Sequence, residues 1–385
     1  MSDERDIFDE LADASRRLVA GRKLPEGELP WESIEQVRRD FRRWHEASGR
    51  TLDQVARSLG EGFAATTLHK WLAATGVDNV GCDMQRMTRG INQFIETEGR
   101  RSKVAKPPGW VETEVARRML LVIAKAIELN SIGLIYSDAG RGKSLTLQAA
   151  AAIFPGSILV RIVTGAHSPA GLTRLLYQAS GLRGNSRKAS LDQLGKLIDH
   201  LRDSDRAILI DEAHRLTPEA LEVIRDLHDE CGVPFVLVGT HRINEMCSDV
   251  DLFYGQFTSR IAIRYDVTEA ARGAASGSPS PSSRSQAHVL HTVDEIRRLY
   301  ESDKVRFTGD GLTFLASLAN ALGLGGLRLC TKLVMVAAQV ATAESAARID
   351  AKLLRRVLRR LHGSDFTTHQ IERAVTMQPA LAAIA

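Results

Sequence analysis

The segment SDAGRGKS (137–144) constrains this chain more than any other. It follows a short apolar run, IGLIY (132–136), and leads into SLTLQAAAA, which has helical composition. A loop placed between a strand and a helix turns its backbone N–H groups toward an anion, and the helix adds the positive end of its dipole. Gly140 and Gly142 permit the tight curl. Lys143 then reaches β- and γ-phosphates, and Ser144 can ligate Mg²⁺. The expected nucleotide cradle is Ser137, Asp138, Ala139, Gly140, Arg141, Gly142, Lys143, Ser144 and Leu145, with ATP and Mg²⁺ as its ligands. Such loops usually open with glycine. Ser137 stands there in this chain, a departure that bears on the loop's geometry rather than on phosphate binding.

A strand-and-helix frame surrounds this loop. Apolar, β-branched runs recur at 158–164 (ILVRIVT), 207–212 (AILIDE), 235–240 (FVLVGT) and 261–267 (IAIRYDV), separated by helical patterns. Strands alternating with helices imply an α/β fold with a parallel sheet. Ligands bind such sheets at the carboxyl ends of the strands, where AILIDE places Asp211 and Glu212. Asp211 is expected to hold Mg²⁺ through water and Glu212 to polarise the attacking water. Thr240, ending FVLVGTHR, is a candidate γ-phosphate or lytic-water contact, with His241 competing for that role. Arg260 in FTSRIAIRYDV fits an arginine finger reaching a neighbouring subunit, though a surface ion pair gives the same pattern. Gly325 and Arg328 in GGLRLCTKLV set an arginine at a helix start, suited to a γ-phosphate contact from a lid. His214 reads as a packing residue.

With 385 residues the chain exceeds one small core. The expected organisation is a helical extension (1–48), a helix-turn-helix domain (49–99), a basic Pro-containing linker (100–110), the ATPase core (111–268), a Ser/Pro-rich insertion (269–290), an α-helical lid (291–363) and a tail (364–385). No apolar run approaches the roughly 20 residues that span a bilayer. The acidic opening MSDERDIFDE is unlike a secretory signal, and four scattered cysteines without a CxxC pair fit a reducing cytosol. A cytoplasmic protein without a membrane partner is therefore expected.

Net charge is only +4, but the cations cluster. In TLDQVARSLGEGFAATTLHKWLAA (51–74), two apolar helical stripes flank a GEG break, with Gly60 at the turn. The second helix presents Thr66, Thr67, His69 and Lys70, side chains able to reach base edges or phosphates. A small helical bundle for protein contacts has the same pattern. The loop GLRGNSRKAS (181–190) offers Arg183, Arg187 and Lys188 to a DNA backbone, and LLRRVLRRL (353–361) offers a second basic face. The run RRDFRRWH (38–45) reads equally as a solvated helix face.

The order of these parts, with WVETEVARRM, ILIDEAHRLTPEALEVIRDL, VGTHR and FTSRIA, resembles the B proteins of Mu-like phages, AAA+ regulators of transposition, from about residue 50 to about 361. The resemblance implies an AAA+ core with a helical lid. It also implies ATP-dependent, sequence-independent binding to double-stranded DNA, homo-oligomeric filaments or rings, and delivery of target DNA to a transposase that stimulates hydrolysis. Lys143 and Ser144 carry over as phosphate and Mg²⁺ contacts, Asp211 and Glu212 as the acids, and Arg328 as the lid sensor. Thr240 stands where the phage protein has Asn. A nucleotide-gated transcription or signalling switch, which predicts binding at defined sites, and a helicase loader, which predicts a hexameric helicase partner, remain alternatives.

Overall fold

The computed structural model describes residues 24–25, 27–59, 63–76, 82–103, 109–182, 190–202, 204, 206–248, 255–269, 289–321 and 323–362. Arg183, Arg187, Lys188, Gly60, residues 1–23, most of the Ser/Pro-rich stretch and the tail lie outside them. The chain forms two compact units, Met1–Lys106 with Ala338–Ala347, and Pro107–Ala337 with Arg348–Ala385.

The first unit is helical: α1 (Trp31–Ser48), α2 (Leu52–Leu59), α3 (Ala65–Ala73) and α4 (Met84–Lys103). α1 ends at Gly49, whose φ of 63° supplies the left-handed cap. α1 packs along α4, and the α2–α3 pair closes over both, around Phe41, Trp71, Ile34, Leu68 and Ile91. Trp71 is fully buried and its Nε1 donates to Thr88 Oγ1 at 3.0 Å, so the indole leaves no polar group unmet. Gly90 lets the Phe63 ring lie close against α4: a Cβ there would fall 2.5 Å from the end of that ring, so the ring would have to move.

The Arg-rich run of α1 is not simply a solvated face. Arg38 is 3% exposed, pairs with Glu35 at 2.7 Å and donates to the Leu72 carbonyl. Arg42 Nη2 donates to the same carbonyl at 2.9 Å. Two cations therefore close the negative end of α3.

The second unit is a three-layer α/β/α core with a helical lid. β1 (Ile132–Tyr136), β2 (Ile158–Arg161), β3 (Ile208–Asp211), β4 (Phe235–Gly239) and β5 (Ile261–Asp266) make one wholly parallel sheet in the order β2-β3-β4-β1-β5. Strand residues alternate between two cores. Ile132, Leu134, Ile208, Ile210, Phe235 and Leu237 face α7 (Pro169–Ala179), α8 (Ser190–Leu201) and α9 (Pro218–Cys231). Ile135, Leu209, Val236 and Val238 face α5 (Glu114–Glu128) and α6 (Lys143–Ile153). Burial on both faces explains why these strands read as continuous apolar runs. β1 and β4 are adjacent, so the loops after both open at the same end of the sheet.

Two short helices, α10 (His241–Met246) and α11 (Gly255–Thr258), follow β4. The lid comprises α12 (Val293–Tyr300), α13 (Gly309–Asn320), the part of α14 (Gly326–Ala343) up to Ala337, and α15 (Ala351–His362). Thr292 and Glu295 form a capping box at the start of α12. Among the described residues, α14 is the one helix long and apolar enough, by length and composition, to cross a membrane. Its Leu329, Cys330, Leu333, Val334 and Ala337 are buried in the fold, the pattern of a core helix. The four cysteines are free, and burial pushes the Cys247 and Cys330 thiols up to about 12.

Candidate functional site

The site begins where β1 ends. Ser137 is completely buried, and its N–H donates to Gly239 O at the end of β4. Gly140 and Gly142 both adopt φ of 83°, a left-handed conformation that turns the chain back over the start of α6. Gly142 is the N-cap of that helix, so the helix's positive end faces the loop. Lys143 Nζ donates to Ser137 O at 3.0 Å, Ser137 Oγ at 2.7 Å and Asp138 O at 2.8 Å. The serine that replaces the usual glycine thus gives the lysine one more partner. Burial lowers the Lys143 amine to about 8, against the pull of Glu212, Asp211 and Asp138. A bound phosphate would replace the carbonyls as the partner of that amine. Ser144 is half-buried in the first helical turn. Leu145 and Ala139 turn their side chains to solvent, so only their backbone can serve the cradle.

Asp211 ends β3 with 5% exposure; its Oδ1 accepts from Glu212 N at 2.9 Å. Arg161, at the end of β2, approaches its Oδ2 at 3.9 Å. Glu212 has φ of 59°, left-handed backbone that costs a non-glycine residue on the order of 1–2 kcal/mol. The strain turns the chain sharply out of β3 into a short 3₁₀ turn, Ala213–Arg215, and leaves the Glu212 carboxylate 3.2 Å from Arg215 Nε and 3.8 Å from His214 Nε2. Ser144 and Asp211 offer oxygen donors of the kind Mg²⁺ takes, and Mg²⁺ generally adds waters and substrate phosphates to one or two carboxylates. Among the described residues no group of three or more His, Cys, Asp and Glu is placed to hold a metal ion. Bound at Ser144 and Asp211, Mg²⁺ would neutralise phosphate charge.

Thr240 caps α10 through its backbone, without a side-chain cap bond, and its N–H donates to His214 Nδ1 at 3.4 Å. Burial holds His214 below the usual imidazole range, with Glu212 opposing, which suits Nδ1 as an acceptor. His214 also packs where a side chain on Gly239 would stand. His241 lies between two carboxylates, 3.7 Å from Asp138 Oδ1 and 3.7 Å from Asp266 Oδ2. It therefore joins the phosphate loop to the end of β5.

Arg260 faces its own subunit. Nε and Nη2 both bond Asp229 on α9 at 2.6 Å, a bidentate pair that holds the Asp229 carboxyl below its ordinary range. Action on a neighbour would require that pair to open. Arg328 is exposed in the first turn of α14, and that turn is tied to the phosphate loop by Leu327 N donating to Gly140 O at 3.0 Å. On α3, Thr66, His69 and Lys70 are exposed and Thr67 is half-buried. On α15, Arg355, Arg356, Arg359 and Arg360 share the exposed face.

Sequence reasoning missed four charged residues here: Arg161, Arg215, Asp229, and the side chain of Arg141, which points into the lid. Only Arg215 carried a signal, its i,i+3 spacing from Glu212.

An AAA domain family model matches residues 127–247, from the end of α5 to just past α10. The Mu-like prophage FluMu DNA transposition protein B of Haemophilus influenzae is 24% identical over 273 residues, 69% of this chain and 88% of that protein. The ATP-dependent target DNA activator B of Escherichia phage Mu is 25% identical over 238 residues, 60% of this chain and 73% of that protein. Among solved structures, Cdc6p from Pyrobaculum aerophilum has a TM-score of 0.47 at 15% identity, covering 66% of this chain and 69% of that one. The sheet order, the phosphate loop and the family match define a P-loop ATPase of the AAA+ type. Within that class, the chain is similar to the B proteins of Mu and Mu-like prophages.

Proposed function

We propose that this ATPase binds double-stranded DNA without sequence preference, assembles on it as a homo-oligomer in an ATP- and Mg²⁺-dependent manner, and delivers that DNA as a target to a transposase. The observation that carries the reading is the pairing of a complete phosphate-loop and strand-end acid site with similarity spanning most of the length of two transposition proteins. Lys143 binds phosphate, Ser144 and Asp211 hold Mg²⁺, Glu212 activates water, Thr240 or His241 senses the γ-phosphate at the end of β4, and Arg328 senses it from the lid. Arg260, released from Asp229, completes a neighbour's site. The DNA backbone is held by Arg183, Arg187 and Lys188, with Thr66, Thr67, His69 and Lys70 as a second contact.

Electron microscopy with random linear duplex DNA tests this, using ATP, ADP or no nucleotide and Lys143→Ala as control. Continuous coating that needs ATP and Lys143 is the expected result. Discrete complexes at a few sites would instead indicate a nucleotide-gated switch.

A further inference from the structure

Arg141 lies inside the phosphate loop, between two left-handed glycines, yet its side chain turns away from the anion cradle. It is 2% exposed. Its Nη1 donates to the Ala319 carbonyl, and its Nη2 to the Ala321 carbonyl at 2.9 Å. These are terminal acceptors of α13, the negative end of that helix. Asn320, between them, clasps His291: its Oδ1 accepts from His291 N at 3.0 Å and its Nδ2 donates to His291 O at 2.8 Å. One turn on, Glu295 Oε1 accepts from Glu114 N, at the start of α5, at 2.7 Å. Arg141 therefore grips the part of the lid that is also fastened to the core at α5.

The loop meets the lid at a second point. Gly140 O accepts from Leu327 N at 3.0 Å, and a Cβ on Gly140 would lie 1.8 Å from Gly325 O. The two backbones touch with no room for a side chain, directly before Arg328. Burying a guanidinium costs several kcal/mol unless good hydrogen bonds offset it. A phosphate loop needs only backbone from this position, so its own chemistry does not explain the charge.

We propose that Arg141 is a positioning residue for ATP hydrolysis. Its guanidinium fastens the lid to the phosphate loop, so that the start of α14, and with it Arg328, follows the loop. Gly140 and Gly142 are the joints. A phosphate that draws Lys143 off the Ser137 and Asp138 carbonyls re-sets the backbone on both sides of Arg141, and the guanidinium carries that change to α13 and α14. The proposal rests on the reading of Arg328 as a γ-phosphate contact.

The test compares Arg141→Met, Arg141→Lys, Arg328→Ala and Arg141→Met with Arg328→Ala in the full-length protein. It measures kcat and KM for ATP, and hydrogen exchange of the Leu327 amide with and without Mg·ATP. Arg141→Met is expected to lower kcat about tenfold with KM changed less than about threefold, and the double variant to be no slower than Arg328→Ala. Nucleotide-dependent protection of Leu327 is lost in Arg141→Met and partly restored in Arg141→Lys, which keeps charge but cannot span both carbonyls. Multiplicative kinetic effects would overturn the proposal. So would Leu327 protection that still responds to ATP in a folded Arg141→Met. If Arg141→Met does not fold, Arg141→Lys decides: wild-type kcat with a wild-type exchange response overturns the proposal. An Arg328→Ala protein with unchanged kcat would sink the Arg328 reading alone, because Leu327 exchange still reports the Arg141 link.

Discussion

The nucleotide site and the helical unit α1–α4 use polar groups in different ways. Around the phosphate loop, three charged groups that are buried or half-buried are held by named partners: Lys143 by three oxygens, Asp211 by the Glu212 amide, Arg141 by two carbonyls. One of the described non-glycine residues with left-handed backbone, Glu212, stands there too. In the helical unit the interior is aromatic and aliphatic, and its buried polar groups finish packing: Thr88 meets the Trp71 indole and Arg38 closes the end of α3. The polar residues singled out for function, Thr66, His69 and Lys70, are exposed. Chemistry therefore dictates residue types and positions in the first region. In the second it dictates only a surface on a scaffold that many sequences can build.

The largest effects should separate the two regions. If Glu212 polarises the attacking water as proposed, Glu212→Gln, which removes the carboxylate and keeps its shape, should lower kcat at least about 100-fold with ATP still bound. Near-normal turnover in a single-turnover assay would move the catalytic base elsewhere. In the helical unit, Trp71→Ala empties a fully buried site and should cost about 3–5 kcal/mol of that unit's stability in urea melts. DNA-free ATP hydrolysis should stay within about twofold, because the Trp71 core shares no residue with either core of the sheet. Trp71→Phe keeps an aromatic ring but loses the bond to Thr88 and leaves a smaller void, about 1–3 kcal/mol together. A loss of DNA-free hydrolysis in Trp71→Phe would break the separation.

The same contrast explains what could be read in advance. The strand–loop–helix around 132–153 and the acids ending β3 were legible because phosphate binding fixes glycines, lysine and carboxylates at set positions on a periodic pattern. Strand ends were less so: ILVRIVT reads apolar through 164, but β2 ends at Arg161 at the edge of the sheet, where pairing with β3 runs out. Long-range polar contacts were not legible at all. Arg260 finds Asp229 across 31 residues, and Arg141 finds Ala319 across 178, both set by which helices the fold brings together. Arg38 and Arg42 looked like a solvated run because a helix end 30 or more residues away leaves no periodic trace.

A smaller effect sharpens the comparison at the DNA surface. If the loop carrying Arg183, Arg187 and Lys188 supplies most of the sequence-independent affinity, replacing all three by Ala should reduce the slope of log K against log salt by about two to three. Changing Thr66, His69 and Lys70 to Ala should change that slope by about one, since only Lys70 carries a full charge. Equal changes from both sets would mean that the helical unit carries as much of the phosphate contact as the core.

The smallest effect probes the site's most perturbed charge. Lys143 titrates near 8 in the folded protein, against an ordinary 10.5, because burial disfavours the ammonium. Between those values the folded state binds fewer protons than the unfolded one, so this lysine makes stability rise with pH across that window. A phosphate beside the amine favours the ammonium and raises its pKa. Mg·ADP binding near pH 8 should therefore take up about half a proton, and binding near pH 6.5 almost none, because the amine is already charged. Titration calorimetry in two buffers of different ionisation enthalpy reads that uptake directly, without a variant. Uptake rising from pH 6.5 to 9 would place the amine against phosphate in the bound state. A flat profile would mean that Lys143 keeps its bonds to Ser137 and Asp138 when nucleotide binds, and that the loop's backbone and helix end hold the phosphates without it.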